Sequence, residues 1–377
     1  MSVISPSEFV SDFITEHSYV NGSAVDTDHT FDISDIDFTS ICHMSLDNLG
    51  HCLVFFTFTL IGVIGNVALL FSILVNKHLQ STPNIFIVNL TVADLVYMLA
   101  TAPFNIRHEL TACWRLGVAA CKIKHYIPIV AQGACVFSLT ALSRERYTVI
   151  VKGFESRAQK SARRTLIIVT LCWLAGALIG IPVLIITTTN SFGLLCSYMP
   201  MDDKRSKGYM LFLFMSLYVI PFILIAIHYV QLARTLWQNN VVNLADNQSI
   251  VRQLQARKRL ALIVMTITIL FGMFWFPYHV YHMFYMFTKN QKLISGNHSH
   301  MRYFRHLYNY MSLANSCINP WIVFLMSSAH RSSLVNCFGR VTCISMPRKI
   351  MRRNQPLKMS ISTSSNYYTS STTNTRM

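Results

Sequence analysis

The sequence predicts an all-α membrane protein, a seven-transmembrane helix bundle with a short amphipathic eighth helix. Of its 377 residues 52% are hydrophobic and 13% are charged, whereas soluble domains carry about 25% charged residues. Seven stretches reach the roughly 20 apolar residues that a helix needs to cross a bilayer. They are residues 53–75, 84–106, 125–150, 165–187, 209–236, 260–287 and 303–327.

The apolar stretches are predicted to be helices rather than strands of a membrane barrel. Barrel strands alternate apolar and polar residues, but residues 60–64 and 166–169 run apolar without alternation. Helices also satisfy their own backbone hydrogen bonds in lipid. The expected organisation is an acidic N-terminal tail (1–50), the bundle (51–327), an amphipathic helix 8 (328–343) and a Ser/Thr-rich tail (344–377).

The distribution of charge predicts the orientation of the chain in the plasma membrane. Residues 1–76 contain nine acids and no Lys or Arg, while cationic clusters occur at 157–164, 252–259 and 348–353. The positive-inside rule then places the N-terminus outside the cell and the C-terminus in the cytoplasm. We therefore interpret the net charge of +16 as topology and attraction to membrane lipids, and we expect no nucleic-acid partner.

Several positions are candidates for covalent modification. Residues 1–30 lack the apolar core of a cleavable signal peptide, so we expect the first span to direct insertion. Asn21 and Asn297 begin Asn-x-Ser sequences on the predicted outer side and are expected to be glycosylated. Cys337 and Cys343 follow the seventh span on the inner side, where palmitoylation is expected.

Five cysteines lie on the predicted outer side, where the compartment is oxidising and disulfides form. Cys121 begins the third span and Cys196 lies in the loop between the fourth and fifth spans. Cys42, Cys52 and Cys113 share that side, so spacing alone leaves other pairings open.

Asp94 is the one acid predicted deep within a span, and a buried ionisable group in lipid indicates a functional site. Asn66, Asn315, Ser316 and Asn319 are deep polar residues that can converge on it. Two interpretations stay open at this stage. The oxygens hold a sodium ion, with Asp94 as its acidic ligand, or the side chains join the helices by hydrogen bonds.

Glu145-Arg146-Tyr147 closes the third span on the cytoplasmic side. An arginine at a membrane border is costly unless it faces a cavity or a partner. The triplet therefore predicts a conformational switch rather than an anchor.

Phe271 and Trp275 precede Pro277 within the sixth span. Proline removes a backbone donor and kinks a helix, so this segment predicts a hinge moved by a large indole ring. Aromatic core packing is the alternative interpretation.

One signature per span, over roughly residues 50–340, resembles rhodopsin-like G-protein-coupled receptors. The matching residues are Gly65-Asn66, Asn89-Leu90, Ala93-Asp94, Glu145-Arg146-Tyr147, Trp173, Pro221, Tyr229, Trp275-Phe276-Pro277 and Asn319-Pro320. The resemblance implies a heterotrimeric G-protein partner and a disulfide between Cys121 and Cys196. It also implies that Glu145 holds Arg146 at rest and that Arg146 faces the G protein near Tyr229 when active.

Two departures from that family modify the expectation. Val323 stands where the family usually has a tyrosine after the Asn-Pro pair, and Arg257-Lys258-Arg259 stands where an acid often locks the arginine. The resting restraint is therefore expected to depend on Glu145, with raised basal activity.

The subgroup that the chain resembles comprises the bombesin-like and related invertebrate neuropeptide receptors. Its matching segments are 81–86, 137–143, 257–261, 275–280 and 315–320. The resemblance implies an extracellular peptide ligand and the phospholipase C and calcium route. Receptor kinases and arrestin are the expected partners of the hydroxyl-rich tail once it is phosphorylated.

The predicted outer pocket contains donors and aromatic rings but no deep acid: Gln132, Tyr278, His279, His282, Tyr285, Arg305 and Asn309. Arg107, Arg305 and His282 are expected to pair with acidic groups of a ligand. An interfacial aromatic belt is the alternative for any one of these residues. A lipid or other small molecule is the alternative ligand.

Other function classes have weaker support in the sequence. Pro128 stands where amine receptors have an aspartate, and residues 303–327 contain no lysine for a retinal Schiff base. No His-Glu-x-x-His motif indicates an intramembrane enzyme, and no internal repeat indicates a transporter. No cofactor is expected apart from the sodium ion.

Overall fold

The computed structural model describes residues 48–79, 81–111, 114–151, 162–189, 196–198, 204–238, 248–288 and 298–341. The first four helices are α1 (Leu49–Val75), α2 (Thr82–Leu110), α3 (Gly117–Val151) and α4 (Ala162–Ile186). α5 has three consecutive parts: Lys204–Phe214, a π-helical turn at Met215–Val219, and Ile220–Gln238. α6 (Gln248–Phe287), α7 (His298–Met326) and α8 (Ser328–Val341) follow, and a short 3₁₀ turn, Lys77–Leu79, links α1 to α2.

Six helices of the described chain, α1 to α6, are long and apolar enough to cross a membrane. α7 has 29 residues, so it is also long enough to cross, but its sequence is more polar. Many of its polar side chains are buried, including His306, Ser312, Asn315, Ser316 and Asn319. Because polar groups in membrane helices face the interior of a bundle, the composition of α7 fits a helix that lines the centre.

The predicted spans coincide with the helices, but the helices extend further. The clearest difference lies between the predicted fifth and sixth spans, which end at residue 236 and begin at residue 260, because α6 already begins at Gln248. Residues 248–257 contain Gln, Leu, Ala and Arg, which favour helix. The helix therefore continues beyond its apolar segment.

α3 packs against α2, α4, α5 and α6 and forms the centre of the bundle. Its closest neighbour is α4, where two glycines face each other. A Cβ atom on Gly176 would lie 2.7 Å from the Val130 carbonyl oxygen, and one on Gly133 would lie 2.8 Å from the Gly176 Cα. Small residues of this kind let membrane helices approach closely.

Prolines interrupt the hydrogen bonding of several helices. Pro277 lies inside α6 and Pro320 inside α7. Because proline has no N–H, the carbonyl of Met273, four residues before Pro277, lacks its usual helical donor. This is the position at which α6 can bend with least loss of backbone hydrogen bonding.

A short hairpin follows α4. β1 (Thr188–Thr189) pairs antiparallel with β2 (Cys196–Ser197), with Thr189 opposite Cys196. We call the end of the bundle that holds this hairpin and Leu49 the disulfide end. The opposite end, which holds Arg146, is the arginine end.

The described residues up to Leu334 form one compact unit, and a second unit begins at Val335. In the first unit, the Ser333 hydroxyl donates to the Ser72 carbonyl over 2.8 Å, which fixes the start of α8 against α1. The described residues of α8 reach Val341, and the last two residues of the predicted helix 8 lie outside the described residues. Asn21, Asn297 and Cys343 lie outside the described residues, as does the side chain of Cys337.

Candidate functional site

A disulfide joins the first turns of α3 to the hairpin, between Cys121 and Cys196. Cys52, one of the alternative partners, is a free, buried thiol whose sulfur lies 3.8 Å from the Ile106 carbonyl oxygen. Cys42 and Cys113 lie outside the described residues. The bond holds β2 over the bundle and so positions Tyr198, two residues after Cys196.

An aromatic box lies beneath the hairpin, and it is built from His125, Tyr198, Tyr278, His282 and Tyr308. The Tyr198 ring stacks on His125 at a centroid distance of 4.4 Å, and its hydroxyl lies 3.3 Å from that of Tyr278. His282 packs on Tyr278 at 4.4 Å and on Tyr308 at 5.4 Å. Three helices and the hairpin thus supply one cluster of rings.

The box is apolar in character although each ring carries a polar atom. Burial raises the pKa of Tyr198 above its ordinary value, with a smaller opposing effect from the hydrogen bond to Tyr278. Tyr198 is therefore neutral over the physiological range. A cluster of rings with hydroxyl and imidazole groups suits a ligand with aromatic or amide groups.

The floor of the box connects to the predicted hinge of α6. The Trp275 ring meets Tyr278 edge-on at 5.6 Å and Phe271 at 5.9 Å. Gln132 and His279 lie beside this stack, with 3.4 Å between their Nε2 atoms. In the described part of the chain, Trp275 Nε1 and His279 Nδ1 have no hydrogen-bond partner although both are buried.

The structure brings together Gln132, Tyr278, His279 and His282, four of the seven predicted pocket residues. Tyr285 lies further toward the disulfide end and stacks on Tyr281 at 6.0 Å. Arg305 and Asn309 are half-buried residues of α7. The prediction missed Tyr198, Tyr308, His125 and Lys124.

Lys124 supplies a cation close to the box, on the residue before His125. Its Nζ lies 5.4 Å from the centroid of the Trp114 ring, within the range of a cation–π contact. The one cue in the sequence is its position, three residues after Cys121.

Glu109 is a second buried acid within α2, which the sequence did not single out. Its Oε1 lies 3.4 Å from Nδ1 of His306, and the His306 ring stacks on His51 at 4.0 Å. His51 also hydrogen-bonds Tyr310. The cluster links α1, α2 and α7 at the disulfide end. Arg107, predicted to face the ligand, lies instead on the outer face of the bundle beside α1.

The predicted polar centre is assembled in the structure. Asn319 Nδ2 donates to Asp94 Oδ2 over 2.8 Å, and Asn66 Nδ2 donates to the Ser316 carbonyl over 2.9 Å. The Oδ1 atoms of Asn66 and Asn315 are buried and have no hydrogen-bond partner among the described residues. Carboxylate, amide and hydroxyl oxygens are the ligands that hard cations prefer.

The arginine end contains the predicted switch residues. Arg146 Nη2 lies 3.2 Å from Glu145 Oε1, and both side chains are buried. The Tyr229 hydroxyl donates to the Ala261 carbonyl over 3.3 Å, joining α5 to α6. Tyr147 packs against His228 of α5 at 6.1 Å. These contacts hold α3, α5 and α6 together around Arg146.

Asn89 joins three helices, although the sequence used it only as a family signature. It donates to the Ser138 hydroxyl of α3 over 2.7 Å and accepts from the Trp173 indole of α4 over 2.7 Å. Its role is structural, since all its partners lie inside the bundle.

Comparisons with known proteins agree with this geometry. Residues 65–322 match the family described as 7 transmembrane receptor (rhodopsin family). Bombesin receptor subtype-3 of Ovis aries is 28% identical over 290 residues, which cover 74% of this chain and 72% of that receptor. The Phe13-bombesin receptor of Bombina orientalis is 28% identical over 282 residues, covering 72% and 71%.

Proposed function

Because this chain belongs to the rhodopsin family of seven-transmembrane receptors, we propose that it binds an extracellular peptide and activates heterotrimeric G proteins. It is a multi-pass membrane protein of a family of receptors, not of enzymes. Relatives named as bombesin receptors support a peptide ligand. The observation that carries the proposal is the continuous series of side-chain contacts to the hinge: the Tyr198 hydroxyl contacts that of Tyr278, and the Tyr278 ring contacts Trp275.

The disulfide end faces the outside of the plasma membrane in this proposal. A disulfide at that end fits an oxidising compartment. The absence of Lys and Arg from residues 1–76 fits the positive-inside rule. Arg146 then faces the cytoplasm, where G proteins are.

Activation is a shift between two arrangements of α6. A ligand in the aromatic box contacts Tyr278 and displaces the Trp275 indole, which lies two residues before Pro277. Movement of α6 at Pro277 separates Ala261 from Tyr229 and exposes Arg146. The ligand favours this arrangement only by the difference between its affinities for the two states.

The downstream route is phospholipase C and calcium release, as in the bombesin-like receptors that the chain resembles. Phosphorylation of the Ser/Thr-rich tail by receptor kinases would add negative charge and recruit arrestin. Membrane lipids complete the set of partners.

A sodium ion at Asp94 belongs to the proposal as an allosteric ligand. Asp94, Asn66, Asn315, Ser316 and Asn319 would hold it, and the buried amide oxygens without partners support that assignment. The ion would supply a compensating charge for the Asp94 carboxylate. Sodium is then expected to raise the melting temperature of the purified receptor but not that of Asp94→Asn.

A peptide library tested by intracellular calcium in transfected cells examines the proposal. We expect a saturable response to one peptide class. Tyr278→Phe, which removes the hydroxyl facing Tyr198, should require a higher peptide concentration. Tyr303→Phe makes the same change at a side chain that is 68% exposed and should behave as wild type. Silence to peptides with a response to lipids would favour the lipid or small-molecule alternative.

A further inference from the structure

A groove between α1 and α2 opens on the outer face of the bundle, near the disulfide end. Its volume is about 440 Å³, within the range of about 300–1,000 Å³ typical of small-molecule sites. Phe56 and Leu99 form part of its wall and are more than half exposed, at 57% and 58%. Apolar side chains so exposed on a membrane helix face lipid, so the groove opens into the bilayer.

Arg107 is the charged residue at the end of this groove. It lies in the last turn of α2, one turn beyond Pro103, at the border of the apolar segment. Arg107 as a residue is half-buried, and its Nε is fully buried without a hydrogen-bond partner in the described part of the chain. Among the described residues no carboxylate forms an ion pair with it, because Glu109 turns inward to His306.

The other groove residues offer no polar alternative to Arg107. The Thr59 hydroxyl donates to the Phe55 carbonyl over 2.7 Å, and the Thr111 hydroxyl donates to the Arg107 carbonyl over 2.9 Å. Ile106 and Leu110 complete the apolar wall. The groove surface is therefore almost entirely apolar, and Arg107 is the one charged residue of the described chain that borders it.

We propose that this groove binds one phospholipid of the leaflet at the disulfide end. Its phosphate pairs with Arg107, whose planar fork matches phosphate oxygens. An acyl chain lies along Phe56, Leu99 and Ile106. Lipid tails surround every membrane helix and give little preference by themselves, so the phosphate contact supplies the selectivity. This site is separate from the peptide pocket and does not depend on it.

Native mass spectrometry of the full-length receptor in detergent tests the site. The probes are phosphatidylglycerol, diacylglycerol with the same chains, and inorganic phosphate. We expect one retained phosphatidylglycerol and no retained diacylglycerol. Arg107→Gln should weaken retention about tenfold, the loss expected for one charged hydrogen bond. Arg115→Gln removes an exposed cation at the same end and should have no effect.

A second variant tests the apolar part of the site. Thr59→Phe fills the groove without touching Arg107 and should also weaken retention about tenfold. If Arg107→Gln does not fold, Arg107→Lys replaces it as the test variant. Arg107→Lys keeps the positive charge but loses the planar guanidinium, so it should retain less lipid than wild type. The proposal is overturned if Arg107→Gln and Arg115→Gln retain phosphatidylglycerol equally well. It is also overturned if the wild-type receptor retains diacylglycerol as well as phosphatidylglycerol. Displacement by inorganic phosphate shows an anion site instead.

Discussion

Glu145→Gln should raise the basal activity of the receptor, because Glu145 is the acid that holds Arg146. The pair is 3.2 Å apart and buried, and α6 contains no acid that could replace it. A hydrogen bond to a charged group contributes about 1.5–3 kcal/mol, and each 1.4 kcal/mol corresponds to about tenfold in an equilibrium constant. The active-to-resting ratio should therefore rise roughly 10- to 100-fold.

Ligand-free nucleotide exchange in membranes, normalised to surface receptor, measures this effect. An active state populated at about 1% before the change would rise to about 10–50% of the receptor. Glu109→Gln is the matched control, since Glu109 is equally buried but pairs with His306 at the opposite end. Basal exchange in Glu145→Gln no higher than in Glu109→Gln would refute the restraint by Glu145.

Three further predictions concern stability, read as the melting temperature of the purified receptor. Asn89→Ala leaves the Trp173 indole N–H unpaired and should lower the free energy of unfolding by about 2 kcal/mol. The double variant with Trp173→Phe should lose clearly less than the sum of the two single losses. Full additivity would contradict the hydrogen bond between Asn89 and Trp173. Gly176→Ala forces a Cβ against backbone and should cost about 1–3 kcal/mol; Gly208→Ala has open space there and should be neutral, so equal effects would count against the close α3–α4 contact. Burial lowers the pKa of His330, so below about pH 6.5 the unfolded state binds more protons than the folded state and stability should fall as the pH drops. His330→Gln should make that fall smaller. The same pH profile in His330→Gln and wild type would contradict a contribution from His330.

The helices and the arginine end were predictable because both depend on local sequence. Apolar composition locates a span without knowledge of its neighbours. Glu145 and Arg146 are adjacent in sequence, so their pairing required no long-range information. The polar centre was also anticipated, because few deep polar residues were available in the spans to meet Asp94.

Several residues around the pocket could not be predicted, because they come together only in the tertiary structure. Tyr198 enters the aromatic box only because the disulfide holds β2 over α3. Glu109 and His306 are far apart in the chain and meet because α2 and α7 are neighbours. Arg107 is two residues from Glu109, yet it faces the opposite side, because two residues rotate a helix by about 200°. The charges of Arg107 and Glu109 alone did not show which of the two side chains faces the interior of the bundle.

Peptide-stimulated nucleotide exchange on a purified G protein, with the receptor in lipid nanodiscs, tests whether peptide binding activates a G protein through Arg146. Arg146→Ala removes the buried switch arginine, and Arg144→Ala removes an exposed arginine two residues away. We predict that the peptide accelerates exchange in wild type and Arg144→Ala, but binds Arg146→Ala without accelerating exchange. Peptide binding to wild type without faster exchange, or equal acceleration in Arg146→Ala, would contradict the account.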